Sequence, residues 1–121
     1  MSMTILTVDD SRTMRDMLKL ALSDAGYRVV QAEDGVHGLE VLKGETPRVI
    51  ITDINMPRLD GFGFIEQVRA DTAYRGIPIL VLTTESDAAK KDRARRAGAT
   101  GWIVKPFNPD KLIEAIRRVA A

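Results

Sequence analysis

Five short runs rich in Val, Ile and Thr alternate with five stretches of helical periodicity along the chain. No other feature constrains the fold as tightly, because strict βα alternation demands parallel pairing with right-handed crossovers. The runs predict strands over Thr4–Val8, Arg28–Ala32, Arg48–Thr52, Ile77–Thr83 and Gly101–Val104. The third and fourth are almost wholly apolar, as in strands covered by helices on both faces.

The intervening stretches carry helix signals of their own. From about Arg12 to Ala25, Met14, Met17, Leu18, Ala21, Leu22 and Ala25 recur at three-and-four spacing. Gly26 then supplies a left-handed stop. A second helix near Val36–Lys43 presents Val36, Leu39 and Leu42 and ends at Gly44. A third, Phe62–Ala70, presents Phe64, Ile65 and Val68; Gly61 and Gly63 beside it read as a turn, not a nucleotide loop. Ser86 is the expected cap of a fourth helix that runs to Ala97 before Gly98. Asn108-Pro109 announces the fifth, a side-chain cap followed by proline at the first helical position, with Leu112, Ile116 and Val119 as its apolar stripe.

Five βα units in 121 residues fit a single domain over residues 1–121. The fold class is α/β, a doubly wound, flavodoxin-like parallel sheet in the order 2-1-3-4-5 with five helices. A composition of 45% apolar and 29% charged residues is ordinary for a globular domain. The net charge of +1 points to neither nucleic acid nor a membrane surface, and the absence of cysteine excludes disulfides and thiolate metal sites. The N-terminal MSMTILTVDD lacks the features of a secretion signal, and the run from Ile77 to Leu82 is far short of a membrane span. A cytoplasmic domain is the expectation.

In open parallel sheets, ligands gather outside the carboxyl ends of the strands where the strand order switches. Here that point lies between the first and third strands, which end in Asp9-Asp10 and Asp53. Two carboxylates 4 Å apart repel by about 4 kcal/mol at an effective dielectric near 20, so a proton or a cation must sit among them. Oxygen ligands without Cys or His favour a hard ion, and Mg²⁺ takes one or two carboxylates together with phosphate oxygens. Lys105, after the fifth strand, and the hydroxyl of Thr83, closing the fourth, complete a set suited to phosphate chemistry on a carboxylate nucleophile.

Asp9-Asp10, Asp53, Thr83 and Lys105-Pro106, with the segment DINMPRLDGF, resemble the receiver domains of two-component signalling over essentially the whole chain. Within that family the resemblance is to chemotaxis response regulators of the CheY type. It implies that Asp53 accepts a phosphoryl group from a histidine kinase. It also implies Mg²⁺ as cofactor, bound by Asp10, Asp53 and the backbone carbonyl of Asn55, with Asp9 acting through a water. Lys105 would pair with the phosphoryl oxygens, Thr83 and Trp102 would form the switch, and Pro106 would follow a cis peptide bond. Asn55 and Glu85 would tune hydrolysis, giving a phosphoryl group that lasts seconds to minutes.

Output is implied through the fourth helix, fifth strand and fifth helix. That face carries Lys90, Lys91, Arg93, Arg95 and Arg96, then Lys111, Arg117 and Arg118. Three roles stay open: binding a flagellar motor switch, draining phosphoryl groups from a shared kinase, and relaying them. The protein would not be a metabolic enzyme. A haloacid-dehalogenase-like phosphatase would place its second acid two residues after the nucleophile, where this chain has Ser11 following Asp9-Asp10. A flavin or nucleotide module would avoid two aspartates in its phosphate loop. His37, the single histidine, is expected on the polar side of the second helix.

Overall fold

The computed structural model describes residues 3–121, so the reading of Met1 and Ser2 as no part of a secretion signal lies outside the described residues. The elements run β1 (Thr4–Val8), α1 (Arg12–Asp24), β2 (Arg28–Ala32), α2 (Gly35–Gly44), β3 (Val49–Thr52), α3 (Gly61–Ala70), β4 (Ile79–Thr83), α4 (Ala88–Ala97), β5 (Gly101–Val104) and α5 (Pro109–Ala120). All four strand pairings are parallel and the sheet order is β2-β1-β3-β4-β5. The α/β doubly wound, flavodoxin-like architecture expected from the alternation is the one observed.

Side-chain alternation divides the core into two layers. Leu6, Val8, Ile50 and Val81 pack with Leu42 of α2, Phe64, Ile65 and Val68 of α3, and Ala94 of α4. Their strand neighbours Ile5, Val49, Ile51, Leu80 and Leu82 face the other way, onto Leu18 and Leu22 of α1 and Leu112 and Ile116 of α5. Three helices therefore cover one face and two the other, and β3 and β4 are buried throughout.

Several boundaries differ from the sequence reading for local reasons. β4 starts at Ile79, after Pro78, which has no N–H to give a ladder. The cap of α4 is Asp87, not Ser86: its carboxylate accepts from the Ala89 and Lys90 amides at 2.7 and 3.2 Å. Asn108 caps α5 as expected, accepting from the Lys111 amide. Gly26 and Gly98 both adopt the left-handed backbone expected of helix stops. On α1 the stripe is narrower than expected, because Met17 is 47% exposed while Leu18 and Leu22 are buried. His37 is half-buried rather than surface-lying, and its Nδ1 accepts from the Glu33 amide at 3.2 Å.

Candidate functional site

The strand order brings the carboxyl ends of β1 and β3 together, and the acids follow. Asp9 is 2% exposed and Asp53 9%, while Asp10 is exposed. Oxygens of all three lie within 4.8 Å of one another. Lys105 reaches over from the end of β5 and bridges the buried pair, its Nζ lying 2.8 Å from Asp9 Oδ2 and 2.8 Å from Asp53 Oδ2. A cis peptide bond joins Lys105 to Pro106, as expected.

Backbone donors hold the carboxylates in place. The Ser11 amide donates to Asp9 Oδ1 at 2.9 Å, and the Ile54 amide donates to Asp53 Oδ1 at 2.6 Å. The Asp53 amide donates to Val8 O at 2.9 Å, which ties β3 to β1 at the crevice. Burial pushes the Asp9 carboxyl above the usual carboxylate range, although the Lys105 ammonium pulls the other way. Burial also acts against the Lys105 charge, but its bonds to Asp53 and Asp9 outweigh that and raise it. Two acids thus share one ammonium, and a hard divalent cation fits the remaining negative charge and all-oxygen donor set.

A second layer surrounds this core. Thr83 is fully buried at the end of β4, and its Oγ accepts a long bond from the Glu85 amide at 3.4 Å. Glu85 meets Asn55, its expected companion, and gathers Lys90 and Trp102 besides. Its carboxylate accepts from Asn55 Nδ2 at 3.1 Å and pairs with Lys90 Nζ at 3.1 Å, and these bonds hold its pKa below the usual range. Its carbonyl accepts from Trp102 Nε1 at 3.1 Å, so the half-buried indole has its N–H satisfied. The basic run on α4 is largely engaged close to home. Arg93 stacks 4.0 Å over the Phe62 ring, while Arg95 and Arg96 both pair with Asp92.

A family model of the response regulator receiver domain matches residues 5–117. The chain belongs to that family. It is 44% identical over 119 residues to the chemotaxis protein CheY1 of Helicobacter pylori, covering 97% of this chain and 96% of that one. The chemotaxis response regulator CheY4 of Vibrio cholerae superposes with a TM-score of 0.92 at 44% identity, covering 98% of this chain and 99% of that one. A sensor histidine kinase receiver domain from Pseudomonas aeruginosa, described with a magnesium ion coordinated in its active-site cleft, superposes with a TM-score of 0.92 at 26% identity, covering 99% and 98% of the two chains. Among the described residues, no helix of this receiver is long and apolar enough to cross a membrane.

One pair near the receiver site had no signal in the sequence. Arg58, in the loop between β3 and α3, grips Asp34 at the start of α2 with Nε–Oδ2 at 2.7 Å and Nη2–Oδ1 at 3.0 Å. Asp34 also caps α2 through the His37 amide at 2.8 Å and is 3% exposed. The Arg58 guanidinium holds the Asp34 carboxyl below its ordinary range. An acid depressed in the folded state stabilises the fold above its unfolded pKa, and that stability is lost as pH falls through the folded value. Asp34→Asn is therefore expected to lower stability at pH 7 and to match the parent in strong acid. Urea unfolding across that range checks this; a gap that persists in acid contradicts it.

Proposed function

We propose that this receiver is a phospho-accepting switch in chemotaxis, signalling by altered protein binding. The observation that carries the reading is Lys105 bridging buried Asp9 and Asp53 at the switch point of the sheet. A carboxylate oxygen of Asp53 attacks the phosphorus of a kinase phosphohistidine. The new O–P bond forms as the P–N bond breaks, and the electron pair leaves with the imidazole nitrogen. Lys105 turns from bridging two carboxylates to pairing with the phosphoryl oxygens, where developing charge most needs it. Asp10, Asp53 and the Asn55 carbonyl would hold Mg²⁺, with Asp9 reaching it through water. When bound, the ion neutralises oxygen charge at the transferred group.

Phosphorylation replaces one negative charge on Asp53 with nearly two and adds three acceptor oxygens. The Thr83 hydroxyl, held only by a long bond, turns toward them. Trp102 then moves into the space that is freed, and the α4–β5–α5 face changes for a partner. Such a shift extends only as far as the two states differ in affinity for the phosphoryl group and for the partner. The partners are a histidine kinase phosphodonor and a flagellar motor switch; no nucleic acid or membrane is involved. The same chemistry would also serve a phosphate sink or a relay intermediate. The domain acts as one unit over residues 1–121, in the cytoplasm, and turns over no metabolite.

Asn55 and Glu85, joined by a hydrogen bond over the mouth of the site, govern entry of the hydrolytic water. Label on wild-type protein is expected to decay within seconds to minutes once the phosphodonor is removed with Mg²⁺ still present. Thr83→Ala should accept label as well as the wild type while losing most of the phosphorylation-dependent change in Trp102 fluorescence. A full fluorescence response in Thr83→Ala, or a label that survives for many hours, contradicts this account.

A further inference from the structure

Arg58 has a backbone φ of 66°, and among the described residues it is the one non-glycine with positive φ. The Leu59 amide donates to Pro57 O at 2.7 Å, so Arg58 is the central residue of a γ-turn of the rare, strained hand. Such a conformation persists where its surroundings over-determine it. Here they do so from one side. The guanidinium is held at two points by buried Asp34, which is itself fixed as the cap of α2. The neighbouring Gly35 amide donates to Leu59 O at 3.1 Å, a third bond between the same two loops. The loop is also closed at its base, where the Gly61 amide donates to Ile54 O at 2.8 Å.

Asn55 lies within this closed loop, between the base at Ile54 and the clamp at Arg58. Its carbonyl oxygen cannot swing as a side chain does, so its position is that of the loop. Mg²⁺ tolerates little departure from octahedral geometry, whereas Ca²⁺ accepts variable ligand arrangements. We propose that Arg58, clamped by Asp34, is a positioning residue for the divalent cation. It touches neither the ion nor the phosphoryl group, and sets through the loop backbone where the Asn55 carbonyl stands. The proposal rests on the reading of Asp10, Asp53 and the Asn55 carbonyl as a Mg²⁺ site.

Two substitutions open the clamp without removing other roles. Asp34→Asn keeps a side chain that caps a helix equally well but loses the charge. Arg58→Gly removes the guanidinium and at the same time relieves the positive φ. Mg²⁺ and Ca²⁺ are titrated into wild type, both variants, the double variant and Asp10→Asn, by calorimetry with Trp102 fluorescence as a second probe. Each clamp variant is expected to weaken Mg²⁺ binding roughly tenfold, the lower end for outer-shell partners of a metal site. The double variant should be no weaker than either single one. Ca²⁺ binding should change much less, a split that general loosening of the fold would not produce. If wild type binds Mg²⁺, Asp10→Asn does not, and the clamp variants bind like wild type, the clamp proposal is overturned. Equal losses for the two cations overturn it as well. A wild type that binds no Mg²⁺, or an Asp10→Asn variant that binds normally, overturns the metal reading itself and the clamp with it.

Discussion

Asp53→Asn is expected to abolish phosphorylation, by a kinase or by a small phosphodonor such as acetyl phosphate, while leaving the fold intact. An amide is no nucleophile toward phosphorus, and removing a nucleophile typically costs roughly a thousandfold or more. The fold should survive because Asn keeps an oxygen for the Ile54 amide, which donates to Asp53 Oδ1 at 2.6 Å. Lys105 also keeps Asp9 as its counter-ion. One buried negative charge disappears from a cluster of three acids, so thermal stability should hold or rise. Intact mass after incubation with donor and Mg²⁺ reads the first effect, and a melting curve reads the second. Label at wild-type levels in the variant contradicts the assignment.

The largest expected loss of stability comes from a glycine. A Cβ at Gly61 would stand 2.2 Å from Asp53 O and 2.8 Å from Ile54 Cα. Both are backbone atoms, so no rotamer change relieves the clash. Overpacking commonly costs about 1–3 kcal/mol, and with rigid partners on both sides Gly61→Ala should reach or pass the top of that range. For a domain of this size that is roughly a 10 °C drop in melting temperature. The displaced atoms belong to Asp53 and its neighbour, so phosphorylation should also slow in whatever fraction stays folded. A variant that melts within a degree or two of wild type would show that α3 can retreat from β3.

Those two residues mark the limits of what the sequence made legible. Parallel pairing followed from alternation and the sheet order from the doubly wound fold that five such units fit, and Asp53 took its meaning from Asp9, Asp10, Thr83 and Lys105 at the ends of neighbouring strands. The strands themselves were readable because an apolar run has few ways to be buried on both faces, although β3 and β4 begin at Val49 and Ile79, later than expected. Gly61 was readable only as a turn, since close approach of one backbone to another leaves no trace in residue pattern. The cap of α4 was misplaced by one residue because Ser86 and Asp87 are both good caps and only geometry decides between them. The Arg58–Asp34 clamp joins two loops far apart in sequence, so nothing local announced it, and the Glu85–Lys90 pair crosses the cap of α4, outside the spacings at which side chains of one helix pair. The Met17 side of α1 looked buried because helical spacing shows which residues share a stripe, not how wide a neighbour covers it.

The central claim is that the phosphoryl group rides on Asp53 and on no other carboxylate of the cluster. Acyl phosphates are reduced by borohydride to the alcohol, whereas free carboxylates are not. Wild-type protein should therefore be phosphorylated with Mg²⁺, quenched with tritiated borohydride and mapped by peptide mass spectrometry. The account predicts homoserine and tritium at position 53, absent when Mg²⁺ is chelated before the donor is added. Reduction at Asp9 or Asp10 instead, or no site-specific reduction in protein that carries phosphate, would contradict it.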